Sequence, residues 1–102
     1  MGVQMNEDRY GVVLSSLEVT SVAANTTAER DFTITGLKVG DFVAVNKPSL
    51  SAGLGVSNAR VKAADTLSLT FNNNTGSAID PAAEIYTIFW FRPEKTSGVV
   101  NP

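Results

Sequence analysis

Apolar and polar residues alternate most cleanly over residues 66–72. There Leu67, Leu69 and Phe71 fall on one side of the chain and Thr66, Ser68 and Thr70 on the other. A two-residue period is the mark of a strand with one face buried. Residues 30–35 repeat it, with Phe32 and Ile34 inward and Asp31, Thr33 and Thr35 outward. Residues 17–22 follow it more weakly through Leu17 and Val19. Residues 41–46 are apolar on both sides, which predicts a central strand closed by Lys47-Pro48, because proline cannot donate to a ladder. Extended structure resumes over residues 56–62. Ala64-Asp65 then separates two runs that read as an antiparallel hairpin.

The densest apolar run is Ile85-Tyr86-Thr87-Ile88-Phe89-Trp90-Phe91, rich in the aromatic and β-branched residues that favour strands. Alternation sends Ile85, Thr87, Phe89 and Phe91 one way and Tyr86, Ile88 and Trp90 the other. Both sides are largely apolar. One suits the core of the domain, and the other requires a second sheet or another chain. Tyr86, Ile88, Phe89, Trp90 and Phe91 are therefore the candidate residues for an oligomer or partner interface, with the choice of face left open. Aromatic residues suit the centre of such a contact.

Between these runs lie turn signals: Asn25-Thr26-Thr27, the glycine-bounded residues 36–41, the loop 49–55 and the polar loop 73–77. Asp80-Pro81 could open a single helical turn. No segment sustains a helical period over three turns. Six or seven short strands spaced by turns predict an all-β antiparallel β-sandwich, jelly-roll or Ig-like, with a small closed barrel as the alternative. At 102 residues the chain is expected to form one domain over residues 10–92, with an N-terminal arm at 1–9 and a C-terminal tail at 93–102.

Composition narrows the function further. The net charge is −2 and the eight basic residues are scattered, so no basic stripe favours nucleic acid or an acidic membrane. No apolar run approaches the roughly eighteen residues that cross a bilayer as a helix. The first ten residues show no signal pattern, and synthesis in a cytoplasm is expected. With no cysteine and no histidine, thiolate sites, disulfides, cysteine nucleophiles and the commonest general base are missing. The carboxylates sit mostly at strand ends and turns, where they cap or solubilise. Gly53-Leu54-Gly55 lacks the third glycine and lysine of a phosphate loop, and Asp65 and Asp80 lack calcium-loop spacing. No enzymatic activity, metal or cofactor is expected.

Three segments carry a family resemblance: DFTITGLKVGDFVAVN (31–46), GLGVSNARVKAADTLSLTFN (53–72) and TGSAIDPAA (75–83). Together with the aromatic strand they resemble a small β module of structural proteins from tailed bacteriophages, over about residues 28–92. The resemblance implies a virion component, made in the host cytoplasm. The favoured role is a capsid cement or decoration protein that binds the major capsid protein and forms a homotrimer. A fibre is expected to carry a long shaft, which the pattern lacks. The alternative is a tail, fibre or surface module that binds a glycan or host receptor. An assembly factor absent from the mature particle is a third possibility.

Overall fold

In the computed structural model, which describes residues 9–93, the chain forms six strands and no helix. They are β1 (Tyr10–Leu17), β2 (Thr26–Thr33), β3 (Phe42–Asn46), β4 (Leu54–Ala63), β5 (Thr66–Asn73) and β6 (Glu84–Phe91). They make two antiparallel three-stranded sheets, in the orders β1-β6-β3 and β2-β5-β4. Each sheet keeps two edge strands, so the arrangement is a sandwich and not a closed barrel. Among the described residues the sheet order itself describes the architecture. The predicted arm and tail lie outside the described residues, apart from Arg9 and Pro93.

The core follows from the alternation. Leu67, Leu69 and Phe71 of β5 are fully buried against Tyr86 and Ile88 of β6, with Leu17, Val19, Val22, Val43 and Val61 around them. Burying a large apolar side chain stabilises by about 1.5–3 kcal/mol, so the two central strands carry much of the domain. Strand β4 stays in phase through a bulge between Val56 and Asn58. The extra residue moves the inward positions from Leu54 and Val56 to Ala59 and Val61, and the apolar residues remain on the core side.

Two turns show why particular residues stand where they do. The β4–β5 hairpin closes through Ala64-Asp65, with Asp65 at φ 61° and its Oδ1 accepting from the Gly36 N–H at 2.8 Å. Asn73, in the stretch predicted as an open polar loop, is 2 % exposed. Its amide donates to the carbonyls of Val22 (3.0 Å) and Ser77 (2.9 Å), and its Oδ1 accepts from the Thr75 N–H and hydroxyl. That one side chain ties three segments together, and its hydrogen-bonding capacity is fully used.

Several boundaries differ from the sequence reading. The first strand is Tyr10–Leu17, and residues 18–22 run irregularly with a single bridge from Val22 to Ile79. Strand β2 begins at Thr26, directly after Asn25 turns at φ 51°. Strand β3 is an edge strand, not a central one: β6 occupies the centre of its sheet. Its second apolar side is not enclosed by the domain. No helical turn forms after Asp80; Ile79 pairs with Val22 and Pro81 is buried.

Candidate association face

The predicted interface residues divide across β6. Tyr86 and Ile88 are completely buried and face the domain's own core, and Trp90 is half-buried on the same side. Tyr86 and Ile88 are thus core residues with no surface left for an intermolecular contact, and Trp90 packs partly against that core. Phe89 and Phe91 point the other way and are 38 % and 43 % exposed.

Trp90 is held by its surroundings. Its ring lies against Gly11 of β1, where an added Cβ would meet the indole Nε1 at 2.7 Å. The Arg92 guanidinium sits 4.8 Å from the ring centroid, a cation–π contact. Arg92 in turn donates two hydrogen bonds of 2.8 Å to the buried Asp41 carboxylate and one of 3.0 Å to the Gly36 carbonyl. The Arg92 guanidinium holds the Asp41 carboxyl below its usual value, assisted by the Lys38 N–H at 2.9 Å. Burial pushes the Tyr86 phenol up to about 12, and its hydroxyl finds no partner among the described residues.

Outside the core, the β1-β6-β3 sheet presents an apolar face. Register places Tyr10 and Phe42 on either side of Phe91, Val12 and Ala44 on either side of Phe89, and Leu14 and Asn46 on either side of Thr87. Ser16 lies beside Ile85. None of these outward positions carries a charge. Tyr10, Val12, Leu14, Phe42 and Ile85 are each more than half exposed. A contiguous apolar surface of this extent is uncommon on an isolated soluble domain. Near its two ends Arg92 is paired with Asp41 at 2.8 Å and Lys47 with Glu84 at 3.0 Å.

The sequence pointed to Phe89 and Phe91 but missed Tyr10, Val12, Leu14 and Phe42. The signal lay in the register: on β1 and β3 these apolar residues alternate with inward Val13, Leu17, Val43 and Val45, so both faces needed cover. A cleft of about 490 Å³ opens between the free edges of β3 and β4, lined by residues 41–45 and 56–60. A smaller polar crevice lies beside Asn25 and Asn74. Among the described residues no group of three or more acidic side chains is placed to hold a metal ion, and no helix is long and apolar enough to cross a membrane. No family model matches this chain, and no curated protein or solved structure matches it.

Proposed function

We propose that this protein works by association alone, as a virion structural protein of the capsid cement or decoration type. It stabilises a phage head as a homotrimer in contact with the major capsid protein. The observation that carries the reading is the uncharged apolar face of β1-β6-β3, centred on Phe89. A cement protein needs contact area, and this face offers it. Many copies, each adding a modest interface, make separation of capsid subunits costly. The particle and the capsid partner come from the resemblance of residues 28–92 to phage structural modules; the face supplies the means of contact.

The glycan- or receptor-binding alternative has less behind it. Trp90, the aromatic residue best suited to stacking on a sugar, is half-buried beneath Arg92, and the exposed aromatics have few polar neighbours to orient a hydroxylated ligand. The deciding experiment adds purified protein to expanded capsids that lack it. Saturable binding and greater heat resistance of the heads are expected. Absence of binding, with equal heat resistance, overturns the reading.

A further inference from the structure

We infer that the β1-β6-β3 face is covered by the same face of another copy of this chain, a two-fold pair that would stand in place of the trimer in the functional reading. The inference shares its face with the functional reading above but does not depend on a capsid. Seven large apolar side chains there are 38–67 % exposed. With aromatic side chains offering about 150–250 Å² each when fully accessible, the face presents on the order of 700 Å². Two copies would together remove roughly 1,400 Å², within the range of stable protein interfaces.

The chemistry favours a matching sheet. The face is a pleated surface bearing no ionised group, so it has no charge for anionic partners such as nucleic acid. Sheets pack on sheets through interdigitating apolar side chains about 10 Å apart, and another copy brings a face with the same pleat and the same lack of charge. Arg92 and Lys47, near the ends of the face, are already matched by Asp41 and Glu84, so neither is desolvated as a lone ion when two copies meet. The opposite outer face, crossed by ion pairs, offers no comparable surface.

The test is sedimentation of the full chain from about 1 to 100 µM. Wild type is expected to associate with rising concentration. Val12→Lys, which places a charge beside Phe89 from an exposed edge-strand position, should weaken association at least tenfold while retaining the wild-type circular dichroism spectrum. Thr33→Lys, the same charge on the opposite outer face, should associate as wild type does. Should Val12→Lys misfold, Ala44→Lys on the other flank of Phe89 gives the same readout independently.

A wild-type chain that stays monomeric throughout overturns the inference, as does a folded Val12→Lys protein that associates normally. Vesicles of neutral and anionic lipid provide a further arm: binding by monomers that Val12→Lys abolishes would assign the face to lipid instead. A monomer that still binds capsids would sink the inference but not the functional reading; an oligomer that ignores capsids would do the reverse.

Discussion

The two outer faces of this sandwich solve the same problem in opposite ways. On β2-β5-β4 the middle strand carries small outward residues, Thr66, Ser68 and Thr70. Long charged side chains from the two edge strands reach across them: Arg60 meets Glu29 at 2.7 Å and Lys62 meets Asp31 at 2.9 Å. Beneath these straps Ser68 is wholly covered and donates to Asp31 at 2.6 Å. On β1-β6-β3 the middle strand carries the bulk, Ile85, Phe89 and Phe91, and among the described residues no ion pair crosses it. One face is covered by its own side chains; the other leaves its large apolar side chains exposed. The lesson is that the size of the central residue, as much as its polarity, decides whether a sheet face can be closed from within.

The contrast can be broken most sharply on β6 itself, where adjacent residues face opposite ways. Ile88→Ala should lower folding stability by about 2–5 kcal/mol, as expected for a buried side chain, whereas Phe89→Ala should leave the isolated domain within about 1 kcal/mol of wild type and act on association. Urea unfolding of the two variants at low protein concentration checks this. Equal losses would mean that Phe89 is part of the monomer's core.

The next effect concerns the ion pair at the end of the sheet. Asp41→Asn should cost about 2–4 kcal/mol, because the Arg92 guanidinium loses its buried counter-charge. Since Asp41 has a lowered folded-state pKa, its contribution is complete above the unfolded value near 3.8 and disappears as pH falls through the folded value. Acid titration of stability should therefore be shallower in Asp41→Asn than in wild type.

Gly11→Ala tests the seat of Trp90. The new methyl must displace the indole, and a loss of about 1–3 kcal/mol is expected with a change in tryptophan emission. Unchanged emission and stability would show that the ring is not held there.

The smallest effect at neutral pH belongs to Tyr86→Phe, which removes a buried hydroxyl lacking a partner and should stay within about 1 kcal/mol of wild type. At high pH the variant should separate from wild type. The folded-state value is raised from 10.0 to about 12, so wild type loses stability as pH rises through that window, and the variant lacks this loss. Thermal melts from neutral to alkaline pH measure both effects.

These features were unevenly legible in the sequence. Strand β5 and its hairpin were plain because Leu67, Leu69 and Phe71 alternate with hydroxyl residues and Asp65 sits at the turn. Strand β1 was obscured because its outward residues, Tyr10, Val12 and Leu14, are as apolar as its inward ones. Gly11, a residue that weakens strand patterns, is required there by the proximity of Trp90. Strand β3 was placed centrally for the same reason: two apolar sides signal burial, but not whether the burying surface belongs to the same chain. The side of β6 that turns inward was not readable from residues 85–91 alone, since both sides are apolar. Asn73 was hidden by composition, its partners being three backbone groups and the Thr75 hydroxyl, which no spacing announces.

The position of β6 has a consequence for the order of events during synthesis. Among the described residues it is the last strand made and the middle strand of its sheet, whereas β2, β4 and β5 have all been made by residue 73. The β2-β5-β4 sheet can begin to form on a nascent chain, while β1 and β3 have no partner strand until residue 91 has emerged. Formation of the whole sandwich thus waits on the emergence of residue 91. Joining β1 to β6 then closes nearly the full length of the domain, a non-local pairing that makes folding slow compared with a helical protein of this size.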